Sequence, residues 1–531
     1  MNILAESSFG HHLSSEQSQF SNRPSSALKG AALALLPVLV LGLLLPSFWR
    51  EPVGRQDEGM MLALPERILK GDLPYRDFQH PHGPAALYTI AVAFLLTEPS
   101  LAAERSVGLI YRLAIILGIF AFYGRRRVGS VGALASLVSL YCLIPIFGLI
   151  AWSWLGGAAV ALWSLWFLMR KTPCGRSDAM FSGILAGLAV LFRPDLALAT
   201  FLPPLVLLKA RQTKIVFGVS ALLALSPYLL LAISIGPARL FDGIVLTALR
   251  FGAGRRLPLN YQGISIALLL LTICLVAILP LALRLSRRFN KRAASIGMCL
   301  FMIGLLPQMA QRADHIHILA VASIVIPLAP IALTEGITGD DYRAKAMVLI
   351  NTLLAAAIAL TGKGVFTEAT SVALQKAIGR VDLARPTPLT HRGRTVLVTS
   401  RDEAEQLRSV LDATEGFSRA GDRLFVGPGN LRRAMYNDTL LYFLLPQLEP
   451  ATFFMEMEPG TANAWDSNLG KELATADIVI LNRTWDNWIE PNESSRLGPI
   501  LPELELRRRF QLAATFGPYD LYLPVAMRLH P

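Results

Sequence analysis

The sequence predicts a multi-pass α-helical membrane protein, with about eleven transmembrane helices and an α/β domain at its C-terminal end. Three observations predict it: overall apolarity, a succession of apolar segments, and a change of pattern near Arg394. Of the 531 residues 53% are hydrophobic and only 17% charged, too apolar for a water-soluble chain of this size. Apolar segments that span a bilayer, or nearly so, run at Ala31–Trp49, Arg105–Tyr123, Val128–Ile150, Leu155–Met169, Ala179–Phe192, Leu196–Leu208, Ile215–Ile235, Ile264–Leu283, Ala293–Leu306, Ile316–Ala332 and Ala346–Leu360. Ala85–Leu96 is too short to cross and follows His-Gly-Pro, so it reads as a helix on the membrane surface.

The formal charge of +12 raises the question of nucleic acid, which the placement of the basic residues answers. They cluster in alternate short loops, at Arg125–Arg127, Arg170–Arg176, Lys209–Lys214 and Arg284–Arg292. This is a topology signal, and no nucleic-acid-binding motif accompanies it. These loops are assigned to the cytoplasm, which puts the N-terminus inside and the Asp57 loop, the 236–262 loop and everything after Leu360 outside. The membrane setting this suggests is a bacterial inner membrane. The polar stretch 1–28 reads as a disordered cytoplasmic tail before an uncleaved first helix. The membrane domain covers 29–362, with a large first outer loop at 50–104. Cys142, Cys174, Cys274 and Cys299 all lie in or beside apolar segments, so neither a disulfide nor a cysteine-based zinc framework is expected.

A linker at 363–392 leads to an extracytoplasmic domain at 393–531. Thr395–Thr399, Leu424–Val426 and Ala476–Leu481 read as short buried strands, and Asp402–Glu415 as a helix capped by Ser400 or Asp402. Gly427-Pro-Gly-Asn430 lacks the Lys-Ser/Thr of a phosphate loop and reads as a plain turn.

The most informative feature is Asp57-Glu58-Gly59 in the first outer loop. Met60, Leu64 and Ile68 follow at helical spacing, which predicts an amphipathic helix able to lie against the bilayer. Asp57 then falls just before its N-terminus, where backbone N–H groups favour a carboxylate. A helix cap and a catalytic base are both open readings of Asp57.

After the acidic pair and its helix come Gly71-Asp-Leu-Pro-Tyr75, then Phe78-Gln-His80-Pro-His82, then the surface helix with Tyr88 and Phe94. In order, these elements resemble the first periplasmic loop of the GT-C membrane glycosyltransferases, in the protein O-mannosyltransferase and lipid A aminoarabinose transferase branch. The likeness covers roughly Ala31–Tyr123 by motif and the remaining membrane region by helix pattern. It implies that Asp57, with Glu58 beside it, is the catalytic base, and that the donor is a sugar on a polyprenyl phosphate. The chemistry is consistent: a base takes the acceptor's proton, and cations stabilise the phosphate that leaves.

Arg312-Ala-Asp314-His-Ile-His317 resembles a pattern near the lipid-phosphate pocket of bacterial GT-C proteins, which implies Arg312 as a phosphate clamp. An interfacial ion pair between helices is its structural alternative. Arg193, in Phe192-Arg-Pro-Asp195, and Arg255 with Arg256 are further candidates for donor phosphate or sugar, as are Tyr75, His80 and His82. For the two histidines a metal role is disfavoured, because alternate loop residues share no helix face and lack a third ligand. No cofactor is expected, and the second outer loop, Ile150–Leu155, carries no acidic residue for a divalent cation.

Expected partners are the polyprenyl-phosphate donor, membrane lipids and a lipid, cell-envelope glycan or protein acceptor. The competing classes are a flippase of lipid-linked sugar and an inactive scaffold. Transporters place ionisable groups near mid-membrane, whereas here they gather at the outer rim.

Overall fold

The structure, a computed structural model, describes residues 23–144, 148–285, 293–335, 339–361, 386–434 and 436–526. Most of the predicted cytoplasmic tail and linker, and the basic run Arg287–Arg292, lie outside them. The membrane portion comprises α1 (Arg23–Trp49), α2 (Asp57–Leu69), α3 (Ala85–Thr97), α4 (Leu101–Arg125), α5 (Gly129–Leu143), α6 (Ser153–Arg170) and α7 (Arg176–Phe192). It continues through α8 (Ala197–Leu207), α9 (Arg211–Ala224), α10 (Ser226–Ile235), α11 (Thr247–Gly254), α12 (Ile264–Leu285), α13 (Ala293–Leu305), α14 (His315–Thr334) and α15 (Asp340–Thr361).

Five stretches among the described residues are long and apolar enough to cross a membrane: Leu101–Arg125, Arg211–Ile235, Ile264–Ala282, Ala293–Gln311 and His315–Thr334. The other expected segments are helical but shorter or interrupted. α8 carries Pro203 and Pro204, and α15 begins with charged residues. Of the eleven spans expected, these five meet the length and apolarity of a full crossing among the described residues, and shorter apolar helices occur at Leu35–Trp49, Ala85–Thr97, Gly129–Leu143 and Pro194–Leu207.

The solvent of this bundle is read from its surface. α14 is apolar all round and buried from Ile318 to Ala332, as a central helix must be. On α1, Leu35, Leu39 and Leu43 point outward, Leu43 being 72% exposed, and Leu222, Leu223, Leu229, Leu230 and Ile233 do the same on α9 and α10. Apolar stripes of this extent belong against lipid, and the chain is an integral membrane protein.

The C-terminal region contains a β1–β2 hairpin (Thr387–His391, Arg394–Val398) and a five-stranded mixed sheet in the order β4-β3-β5-β7-β6. β3 (Arg423–Pro428) pairs in parallel with β4 (Glu449–Pro450) and β5 (Ile478–Asn482). β7 (Tyr519–Pro524) pairs antiparallel with β5 and with β6 (Phe510–Phe516). Strand β1 falls inside the predicted linker, whose closing residues turn the hairpin instead. α16 (Arg401–Phe417) starts where Ser400 Oγ accepts the Glu403 N–H at 3.1 Å, so of the two proposed caps Ser400 is the one used. Of the expected turn Gly427–Asn430, Gly427 and Pro428 are the last residues of β3, paired with Leu481 and Asn482, and the chain bends only at Gly429–Asn430.

This C-terminal domain is docked on the loop that joins α1 to α4, and is called the outer domain after its expected side. Val53 N–H donates to Leu397 O at 2.7 Å, Leu440 N–H to Arg55 O at 3.1 Å, and Thr439 Oγ to Gln56 O at 2.6 Å. α2 consequently lies between α3 and the short α17 (Leu440–Leu444). Residues Glu58 to Pro65 are all buried. The predicted amphipathic helix exists, but protein covers both its faces, so it does not rest on a bilayer.

Candidate active site at the domain junction

The Asp57-Glu58-Gly59 motif sends three groups in three directions. Gly59 faces α17 so closely that a Cβ there would lie 2.5 Å from Leu440 N, which only glycine permits. Glu58 turns inward and is gripped by Arg105 of α4 through two bonds, Nε–Oε1 at 2.7 Å and Nη2–Oε2 at 3.0 Å. Arg105 also donates to Trp49 O and Glu51 O, tying α1, α2 and α4 together.

Asp57 faces a cavity of about 790 Å³ between the membrane helices and the outer domain. Among the described residues no hydrogen bond or ion pair engages its carboxylate. The predicted N-cap is absent as well: Asp57 is the first residue of α2 and makes no capping bond. The reason is that Glu58 and Gly59 N–H already donate to Gly54 O, and Met60 N–H to Gln56 O, so the preceding turn satisfies the amides a cap would take. Burial pushes the Asp57 carboxyl upward, while Arg255, His317 and Arg312 pull against that shift.

Arg255 and Arg312 form a cationic rim, with His317 beside them. Asp314 is the N-cap of α14, its Oδ1 accepting the His317 N–H at 2.9 Å. The same oxygen takes His317 Nδ1 at 2.7 Å, and Oδ2 takes Arg312 Nε at 2.7 Å. Burial acts to raise the Asp314 carboxyl, but His317 and Arg312 overcome it and hold the group well below the usual range. It is therefore an acceptor, and the His317 Nδ1 proton donates to it. The other edge of Arg312 meets Glu490 of the outer domain, Nη1–Oε2 at 2.9 Å. Arg255 pairs with Glu458 at 2.9 Å. Arg193 is held by Asp195 at 2.9 Å and donates to Gln308 Oε1 and Gln311 Oε1 at 2.9 and 3.1 Å.

The remaining candidates divide. His82 lines this cavity, with its ring edge-on to Phe251 at 5.6 Å. Burial, with Arg193 adding to it, lowers the ring's pKa well below the ordinary value, so His82 enters as a neutral imidazole and not as a cation. His80 and Tyr75 do not line it. They border a second cavity of about 460 Å³ with Gln79, Arg239 and Asp242. Tyr75 has φ +68° and its hydroxyl donates to His82 O at 2.6 Å, which fixes the loop carrying His82. Arg256 is exposed and lines neither cavity. Among the described residues no three His, Cys, Asp or Glu side chains converge as a metal-ligand set.

Sequence reasoning missed the outer-domain wall: Tyr436, Glu456, Trp485, Trp488 and Glu490. Burial and the neighbouring Glu458 raise the Glu456 carboxyl well above its ordinary range. A local signal existed in Trp485-Asp-Asn-Trp488-Ile-Glu490, an aromatic and acidic run just past a buried strand, where loops commonly carry function.

This architecture has solved counterparts. A crystal structure of ArnT from Cupriavidus metallidurans bound to undecaprenyl phosphate aligns over 94% of this chain and 99% of its own, at 13% identity and TM-score 0.51. The apo form gives 95% and 100%, at 15% identity and TM-score 0.51. The chain has the GT-C fold. The fold expected from the order of motifs in the first loop is found over nearly the full length of both chains. A mycobacterial arabinofuranosyltransferase, AftD, shows a weaker likeness, with TM-score 0.43 at 15% identity, over 94% of this chain and 41% of that one. No protein-family model and no curated protein sequence matches the chain.

Proposed function

We propose that this GT-C chain is an inverting glycosyltransferase that moves a sugar from a polyprenyl phosphate to an acceptor on the outer face of a bacterial inner membrane. The observation that carries the reading is Asp57: a carboxylate with no hydrogen-bond or ion-pair partner among the described residues, facing a large cavity at the membrane rim, with Arg255, Arg312 and His317 around it. The solved ArnT structure with undecaprenyl phosphate supports the donor class.

In this reading Asp57 takes the proton of the acceptor hydroxyl as the oxygen attacks the anomeric carbon. The bond from that carbon to the phosphate oxygen breaks with inversion, and polyprenyl phosphate leaves with the electron pair. Arg312, Arg255 and Arg193 stabilise its growing charge, and His317 orients Asp314, which orients Arg312. Glu58 is an anchor that holds α2 against α4. His82 contributes hydrogen bonding, and Tyr75 positions the loop behind it. The donor phosphate reaches the Arg312 fork only by displacing Glu490. With the cytoplasmic loops assigned as above, the outer domain and the site share one side of the membrane, where a donor must arrive already linked to lipid.

The test is a strain deleted for the gene, with its envelope lipids and glycans compared by mass spectrometry. The wild-type gene restores a mass increment of one sugar and Asp57→Asn does not, although both proteins accumulate equally. Restoration by Asp57→Asn removes the assigned base.

A further inference from the structure

The cavity has two chemically different walls. The membrane side supplies cations. The outer domain supplies aromatic rings: the Tyr436 ring lies 6.1 Å from Trp485 at 55° and 6.1 Å from Trp488 at 77°. Trp485 is fixed from behind, with the Arg55 guanidinium 5.3 Å from its ring centre and Arg55 itself 3.3 Å from the buried Asp438. Trp488 stands at the lip and is 52% exposed among the described residues. Phe251, Tyr261 and Trp152 line other parts of the same cavity.

From this we infer that Trp485, Trp488 and Tyr436 form a stacking platform for a sugar ring of the acceptor, so that the acceptor is a carbohydrate. The inference rests on the transferase reading and names its second substrate. A sugar presents an apolar C–H face to an aromatic ring and hydroxyls at its edge. Here the rings are bordered by groups that serve such an edge: Glu490, which Tyr436 Oη and Trp488 Nε1 approach at 3.4 Å, and Glu456 deeper in. An aliphatic or peptide ligand would instead place apolar atoms among Arg55, Arg312 and two carboxylates, at the cost of desolvating them. The side of approach excludes the donor sugar. A polyprenyl chain reaches the cavity from the membrane, where the phosphate-binding cations are, whereas the platform belongs wholly to the water-facing domain.

The experiment uses the full chain in lipid nanodiscs and saturation-transfer NMR with cellobiose, maltose and N,N′-diacetylchitobiose, beside a proline- and leucine-rich peptide. Undecaprenyl phosphate binding is followed separately by native mass spectrometry. At least one disaccharide receives saturation at its C–H face, Trp488→Ala weakens it roughly tenfold, Tyr436→Leu weakens it too, and undecaprenyl phosphate binds all three proteins alike. The inference is overturned if no disaccharide is contacted, if Trp488→Ala and Tyr436→Leu leave the contact intact, or if only the peptide binds. Failure of the wild-type chain to bind undecaprenyl phosphate counts against the transferase reading instead, and the disaccharide result still decides the platform.

Discussion

Replacing Glu58 with Gln separates the two acidic residues of the loop. Arg105 and Glu58 are 3% and 5% exposed, so the pair is buried, and removing one partner of such a pair costs about 3–5 kcal/mol because the other charge is stranded. Arg105 keeps its bonds to Trp49 O and Glu51 O, which places the loss near the lower end, ~3 kcal/mol. The amide of Gln also gives up the acceptor that Glu58 Oε2 offers Gly54 N–H at 2.9 Å, about 1 kcal/mol more. Equilibrium unfolding in mixed micelles with rising SDS fraction measures the sum, and the double variant Glu58→Leu/Arg105→Met recovers most of it by removing both charges. Activity per folded molecule stays within a few-fold of wild type. A Glu58→Gln protein as stable as wild type but 100-fold slower refutes the division of labour and makes Glu58 the base.

Further outcomes follow from the same geometry. Gly59→Ala drives a Cβ against Leu440 N and Thr439 Oγ, at 2.5 and 2.7 Å, and costs about 1–3 kcal/mol, seen as earlier proteolytic release of the outer domain. Arg312→Lys replaces a fork with a point charge and weakens undecaprenyl phosphate binding at least tenfold by native mass spectrometry, about 1.4 kcal/mol, whereas Glu490→Gln, which removes the competing carboxylate, tightens it. Because burial raises the Asp57 carboxyl above its ordinary value of 3.8 and a base acts only when ionised, kcat/KM falls on acidification at a pH above the usual Asp range. Arg255 is the foremost of the cations pulling that carboxyl down, so Arg255→Gln moves the acidic limb to still higher pH in a pH–rate profile, and a shift the other way rules out Asp57 as the titrating group.

The membrane class, the acidic loop and the rim of Arg193, Arg255 and Arg312 were legible because each rests on local pattern: apolar length, helical spacing, charge at helix ends. The Asp314 cap shows how far that goes, since Arg-x-Asp-x-x-His closes one helix turn within six residues. The surroundings of α2 were not legible. Its burial on both faces depends on Leu440, nearly four hundred positions away, and no periodicity inside Met60–Ile68 distinguishes a lipid neighbour from a protein one. The outer-domain wall was hidden for the same reason. Strands β6 and β7 were readable in principle, with Tyr519, Leu521 and Leu523 alternating inward, but they follow the charged helix Leu501–Arg509 and their short apolar runs gave no separate signal. Apolar segments interrupted by proline, such as Leu196–Leu208, look continuous in the sequence, whereas in the structure they are short helices.

The proposed transfer from a polyprenyl-phosphate sugar turns on Asp57 acting as the base. The most direct measurement is release of undecaprenyl phosphate, the product common to every such donor, from a panel of undecaprenyl-phosphoryl sugars incubated with the nanodisc protein and an envelope extract. The wild-type chain releases it from at least one donor, and Asp57→Asn does so ~10²–10⁴-fold more slowly while binding undecaprenyl phosphate equally well. Equal rates for the two proteins, or no release by the wild-type chain from any donor, contradict the claim.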